Sequence, residues 1–373
     1  MQHIHSKTKL LNPTSQNIKV AVEALHSGDV IGMPTETVYG LAGNALNDEA
    51  IAKIFFYKSR PSFDPLIVHV AEDLKSCEKL AQAQLINIGA MTPAQIQTAD
   101  KLMELFWPGP LTLIFPKHAQ ISDLVTSSLD TIGLRSPAHP VAQEILKQST
   151  LPLAAPSANQ FGRISPTKAE HVLSELGEHL NYCVEGGECS VGLESTICSV
   201  NAAGEVMILR PGGISEEALK NALGVLFKGM HSELGLPAIA AHSPMAPGLL
   251  ESHYAPRKPM LRIAEILSSE SLELLKTKIL KAYLNHEKVA VLSPYVLNRE
   301  ARLKFSKLFG EVEFHYLAEA DNDSLNGAHT LFSKLRELDQ NDSNLILCEL
   351  PTSSKGLWPA IRDRLTRASQ VLK

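Results

Sequence analysis

GMPTETVYGLAGN, residues 32–44, is the stretch on which the reading of the first half of the chain turns. The apolar run Val30-Ile31-Gly32-Met33 reads as a strand, and Pro34 stops it, because a proline cannot donate to a central ladder. Three polar groups follow at once, Thr35, Glu36 and Thr37. At a strand end their hydroxyls and carboxylate would face a cleft, as functional side chains on loops do. The alternative is a hairpin whose turn carries surface polars and nothing more. Both readings stand at this point.

Working outward, Gln16–Ser27 predicts a helix with Ile18, Ala21 and Leu25 on one face, and Asp48–Lys58 a second, capped by Asn47 or Asp48 and closed by Pro61. Pro65–Val70 has the β-branched density of a buried strand. Helices are expected over Leu74–Gly89, Asp100–Leu105, Pro140–Lys147, Thr167–Leu176 and Ile214–Leu223. Strands are expected over Leu111–Phe115, Thr131–Leu134, Leu151–Ala155, Ser195–Val200 and Val206–Leu209. Strand and helix alternate loosely with proline-rich corners, which predicts an α/β domain on a twisted mixed sheet. Near Gly229 the composition shifts to a proline-, glycine- and histidine-rich stretch without periodicity. From Met260 a second unit is expected, with helices at Leu272–Asn285, Ala328–Leu338 and Pro359–Ala368 and strands at Lys288–Ser293, Val312–Leu317 and Leu345–Leu350. That is a small Rossmann-like α/β outline with no glycine fingerprint after its first strand. The expected division is 13–225, a linker over 226–258, and 259–373.

The chain has 373 residues, 44% hydrophobic and 20% charged, with net charge −5. That is enough for two buried cores, and a mildly acidic total argues against broad wrapping of nucleic acid. The five cysteines are scattered without CxxC spacing, so neither zinc nor a disulfide framework is signalled. No signal-peptide core and no eighteen-residue apolar run is present, which predicts a soluble protein of a reducing compartment with no membrane partner.

The chemistry-bearing candidates sit where strands and helices give out. Lys58 and Arg60 in YKSRP offer a point charge beside a planar fork, suited to a triphosphate; a solvated cap on a helix C-terminus explains them equally. His69 lies inside an apolar strand, where a satisfied core histidine is the commoner outcome. Arg135 follows a buried strand and needs a partner, either a substrate anion or a structural acid. Ser157 and Asn159 face one side if extended, as phosphate or base contacts or as a plain turn. Ser195-Thr196 and Arg210 stand at further strand edges, Arg210 ahead of a Pro-Gly-Gly corner. No nucleophile triad, paired acids or phosphate-binding GxxxxGK[ST] loop accompanies them. Such a cationic, hydroxyl-rich set suits aligning a nucleotide with a small anion, with catalysis from orientation and electrostatics.

Taken together, PTETVYGL (34–41), YKSRPSFDPLIVHV (57–70), FWPGPLTLIF (106–115), GLRSP (133–137), PSANQFGRISPT (156–167), ESTI (194–197), RPGGI (210–214) and APGLLESHYAP (246–256) resemble the Sua5 family of threonylcarbamoyl-AMP synthases. The resemblance runs in order over nearly the whole chain. It implies a YrdC-like twisted mixed-sheet domain, an interdomain linker that serves as a lid, and a Sua5-type C-terminal domain. It implies synthesis of L-threonylcarbamoyl-AMP from L-threonine, bicarbonate and ATP with release of pyrophosphate, in the cytoplasm. The product would pass to the tRNA threonylcarbamoyltransferase machinery, which modifies adenosine 37 (t6A), without stable tRNA binding by this chain. By motif, Lys58, Arg60, Ser157 and Asn159 are similar to the nucleotide-binding signature, with Lys58 and Arg60 catalytic. Arg210 and Tyr254 resemble further nucleotide contacts, and Thr35, His69, Arg135 and Ser195 the threonine side. Mg2+ would arrive with ATP rather than in a protein cage. Ser59 departs from the glycine or asparagine frequent between the lysine and arginine, and Trp358 from the commoner glycine of GLG. Two other classes compete with this reading: a carrier or RNA-binding module that kept the cavity, and a carbamoyl-transferring synthase related to hydrogenase-maturation proteins. Aromatics at 5% and net acidity oppose the former, and the lack of zinc spacing the latter.

Overall fold

The computed structural model describes residues 7–230, 254–263, 288–297 and 299–371. The expected helix Leu272–Asn285 and most of the linker, His253 included, lie outside the described residues. The chain divides into two compact units, one formed by Met1–Phe161 with Ser165–Leu249, the other by Gly162–Ile164 with Leu250–Lys373.

The first unit is an α/β fold on an eleven-stranded sheet. Its strands are β1 (Lys9–Leu11), β2 (Ile31–Met33), β3 (Gly40–Asn44), β4 (Ile67–His69), β5 (Leu111–Pro116), β6 (Thr131–Arg135), β7 (Leu153–Ala154), β8 (Tyr182–Val184), β9 (Thr196–Val200), β10 (Val206–Arg210) and β11 (Phe227–Met230). They lie in the order β1-β8-β2-β3-β7-β4-β6-β5-β9-β10-β11. Directions are mixed: β4 runs parallel to β6 and β5 to β9, whereas β3, β7 and β4 alternate.

Local signals account for much of this. Helix α1 (Ser15–His26) starts where Thr14 accepts the Asn17 N–H. Helix α2 (Asp48–Lys58) starts where the Asn47 side chain accepts from Glu49 and Ala50, and it buries Ala50, Ile51 and Ile54. The expected single helix over Leu74–Gly89 is a correction. A 3-10 turn at Glu72–Leu74 and helix α3 (Cys77–Gln82) replace it, because Ser76 caps a new start and Gln84 stops the run at φ 55°. Helix α4 (Pro93–Phe106) begins earlier than its apolar residues announce, since Thr92 and Gln95 form a capping box with Pro93 at the first turn. Strands β1, β3, β8 and β11 were not expected. In β3, GLAGN, the glycines hide the pattern, and a Cβ on Gly43 would make a tight 3.0 Å approach to Val30.

The second unit carries a parallel sheet of β12 (Met260–Arg262), β13 (Val289–Tyr295), β14 (Val312–Ala318), β15 (Leu345–Cys348) and β16 (Gln370–Val371), in the order β14-β13-β15-β12-β16. Further helices of the chain are α5 (Asp123–Thr126), α6 (Pro140–Ser149), α7 (Ala169–Leu176) and α8 (Glu216–Leu223) in the first unit, and α9 (Arg299–Phe309), α10 (Ser324–Gln340) and α11 (Trp358–Ala368) in the second. The two short strands β12 and β16 enlarge the three-strand expectation. Trp358 is fully buried within this unit, its indole N–H on the Asp321 carbonyl at 2.5 Å and its ring edge-on to Tyr295. Gly327 makes room for it, since a Cβ there would come within 2.8 Å of the indole. Among the described residues no helix is long and apolar enough to cross a membrane.

Candidate active site

Strands β2 and β3 do form a hairpin, Met33 opposite Gly40 and Ile31 opposite Ala42. Its loop is not a surface turn: Thr35, Glu36 and Thr37 are all buried. The Thr35 hydroxyl donates to the Val38 carbonyl at 2.6 Å and accepts from the Val38 N–H, so the loop closes on its own first residue. Thr37 then presents its hydroxyl to Arg135, whose Nη1 donates to it at 2.8 Å.

Arg135 ends β6, in register with His69 at the end of β4. Its guanidinium is buried and approached on three sides, with Nε donating to the Gly109 carbonyl at 3.2 Å and Nη2 lying 2.7 Å from Glu36 Oε1. The competing expectation of a structural acid partner is thus met in part, by Glu36. Burial, reinforced by the Arg135 charge, lowers the His69 pKa to about 3, so the imidazole is neutral.

Ser195 immediately precedes β9, its hydroxyl 2.7 Å from that of Thr112 on the neighbouring β5. Arg210, at the end of β10, donates through Nη2 to the Ser195 carbonyl at 2.9 Å and hydroxyl at 3.2 Å. The Pro211-Gly212-Gly213 corner is required by this packing. A Cβ on Gly212 would lie 2.4 Å from the Glu194 carbonyl oxygen and the Ser195 carbonyl carbon.

The third group joins two distant motifs. Lys58, at the end of α2, is buried, and its ammonium donates to the carbonyls of Ser157 and Asn159, the latter at 2.6 Å. The solvated-cap alternative fails on that burial. Desolvation first, then the neighbouring Arg60 charge, push the Lys58 pKa well below its ordinary value. Arg60 pairs with buried Asp64 at 2.8 Å and donates to the carbonyls of Asp64 and Pro65. Ser59 between them takes the left-handed φ of 51° that stops the helix, the conformation glycine and asparagine adopt most readily. Ser157 forms a bridge with Gly40, and the Ala158 N–H donates to the Tyr39 carbonyl at 2.8 Å.

These pairings place the groups beside one another. Thr37 holds Arg135 while Tyr39, two residues on, holds the Ser157–Asn159 loop; two residues span about 7 Å at most. The loop Thr35–Tyr39 therefore joins a cluster of His69, Arg135 and Glu36 to one of Lys58, Ser157 and Asn159. Ser195 and Arg210 lie at the same strand end as Arg135, through the β6-β5-β9-β10 ladder.

Comparison with known proteins decides the family. The Sua5/YciO/YrdC family model, described as telomere recombination, matches residues 23–212. That of the threonylcarbamoyl-AMP synthase C-terminal domain matches residues 214–370. The threonylcarbamoyl-AMP synthase of Bacillus subtilis is 35% identical, the alignment covering 97% of this chain and 95% of that protein. The Pyrococcus abyssi enzyme of the same name is 33% identical, with 94% of each covered. This chain belongs to the threonylcarbamoyl-AMP synthase family. A crystal structure of P. abyssi Sua5 complexed with L-threonine superposes on this synthase with a TM-score of 0.78 at 32% identity, covering 98% of this chain and 99% of that one.

Tyr254, expected at the nucleotide, lies within the second unit of the synthase. It is buried at φ 65°, its ring 5.6 Å from that of Phe332 and capped by the Arg364 guanidinium at 5.4 Å. Reading the sequence alone missed three residues that hold the site's groups in place: Asp64 on Arg60, Gly109 on Arg135 and Thr112 on Ser195. Asp64 was inside the quoted YKSRPSFDPLIVHV string, four residues after Arg60, and that spacing was the available signal. Thr112 and Gly109 carried none.

Proposed function

We propose that this synthase condenses L-threonine, bicarbonate and ATP into threonylcarbamoyl-AMP and pyrophosphate, supplying t6A formation on tRNA. In balanced form, the amine of threonine and bicarbonate give a carbamate and water. A carbamate oxygen then attacks the α-phosphorus of ATP, and the α–β anhydride bond breaks to release pyrophosphate. The observation that carries this reading is the Thr35–Tyr39 loop, which ties a buried arginine–hydroxyl cluster to a buried lysine–amide cluster.

In this reading Thr35, His69, Arg135 and Ser195 receive threonine, while Lys58, Arg60, Ser157, Asn159 and Arg210 receive the nucleotide, and Tyr254 belongs to the lid segment. The arginines offset charge that builds on carboxylate and phosphate oxygens, and burial excludes the water that would hydrolyse the mixed anhydride. Neutral His69 offers a hydrogen bond without adding charge. Magnesium fits as an ion brought by the nucleotide. Asp64 is committed to Arg60, Glu194 accepts from Ser165 at 2.6 Å, and among the described residues no cluster of acids, histidines or cysteines suits a metal. The product is handed to the tRNA threonylcarbamoyltransferase machinery in the cytoplasm.

The test is pyrophosphate release together with mass spectrometry of the nucleotide product. Release should need ATP, bicarbonate and L-threonine together, with L-serine weaker. Purified protein that forms no threonylcarbamoyl-AMP at saturating substrates overturns the proposal.

A further inference from the structure

The loop Thr35–Tyr39 holds a carboxylate that the proposed roles leave unused. Glu36 is 5% exposed, and its main chain is pinned by the Val191 N–H, which donates to its carbonyl at 2.8 Å. Its Oε1 forms a buried ion pair with Arg135 Nη2 at 2.7 Å, while its Oε2 is buried without a hydrogen-bond partner. The nearby His69, on the strand paired with β6, is buried as well. A buried carboxylate oxygen without a hydrogen-bond partner is costly, and beside a buried arginine it marks a place for a ligand's donor.

The pattern of these groups defines that ligand: a cationic donor beside an anionic acceptor, out of water. A free α-amino acid presents the complement, a carboxylate that accepts and an ammonium that donates, on adjacent atoms. We propose that Glu36 binds the α-ammonium of the amino-acid substrate, while Arg135 takes its carboxylate. This assignment rests on the threonine reading above and adds a residue to it. It also gives the site a basis for selecting amino acids over hydroxy acids, since a carboxylate left facing an uncharged substituent would be buried unpaired.

The test is binding, by calorimetry or ligand-observed NMR, of L-threonine and of 3-hydroxybutanoate, which keeps the carboxylate and hydroxyl but lacks the ammonium. Wild-type protein should prefer L-threonine by roughly tenfold or more. Glu36→Gln, close in shape, should weaken L-threonine by about 10- to 100-fold, the scale of one hydrogen bond to a charged group, and leave 3-hydroxybutanoate within about threefold. Equal weakening of both ligands would show that Glu36 acts only by orienting Arg135, and unchanged threonine binding would show no role; either overturns the assignment. If Glu36→Gln does not fold, the wild-type preference decides, and a preference under about threefold refutes it. Wild-type protein that binds neither ligand removes the threonine reading itself, and this assignment with it.

Discussion

The ammonium of Lys58 donates to the carbonyl of Asn159 at 2.6 Å, joining the end of a helix to a loop about a hundred residues further along the chain. A second donation to Ser157 makes Lys58 a clamp on that loop. Lys58→Ala should therefore lower both stability and synthesis. Removing the donor leaves two buried carbonyls short of a partner, which costs about 1–3 kcal/mol, above the few tenths lost from an exposed helix cap. Denaturant melts and turnover measured on the same preparation check this; a change under about 0.5 kcal/mol with normal turnover would refute the clamp.

Arg60 depends on Asp64. The 2.8 Å pair and the two carbonyl contacts leave the guanidinium one orientation. Arg60→Lys should cut synthesis by roughly tenfold to a thousandfold, because a point charge cannot replace a fork. Asp64→Asn should weaken ATP binding in the same direction. Titration of ATP into each variant, compared with threonine binding as an internal control, separates this from general unfolding.

Ser59 pays a conformational cost at φ 51°. Ser59→Gly should relieve it and stabilise the protein by about 0.5–1 kcal/mol with turnover unchanged, since the side chain is exposed. A lower melting temperature in the glycine variant would contradict the assignment of strain.

Gly212→Ala should be severe. The added Cβ would meet the backbone of Glu194 and Ser195 at 2.4 Å, and backbone cannot swing aside as a long side chain does. Overpacking of this kind costs about 1–3 kcal/mol, and it would displace Ser195 from Thr112 and Arg210. Thermal melts with threonine-binding assays should show both losses together.

His69 should stay neutral through the physiological range. Its folded pKa, about 3, lies below the ordinary value of 6.5. The stability this contributes is complete above about pH 6.5 and is lost as pH falls from there towards 3, by up to about 1.4 kcal/mol per pH unit. NMR of the imidazole nitrogens between pH 5 and 8 should show no titration of His69. Replacement by Gln should flatten the acid limb of the stability curve over that same window.

The sequence by itself determined what acts over a few residues: the Asn47 cap, the stop after Lys58, the proline that ends β2, and the ordered motifs that carry the family resemblance. It also put Lys58, Arg60, Arg135, Ser157 and Asn159 at the ends of elements, because caps, prolines and β-branched runs mark those ends locally. Only the tertiary structure decided that the Thr35–Thr37 loop is buried rather than a surface turn, since that depends on strands arriving from elsewhere in the chain. The partners of the charged groups were decided the same way. Glu36 reaches Arg135 across almost a hundred residues, and Lys58 reaches Asn159 over a similar distance, through sheet register that no local pattern encodes. Short glycine-bearing strands such as β3 escaped for a related reason: their identity lies in what packs against them, and a glycine carries no side chain to announce it.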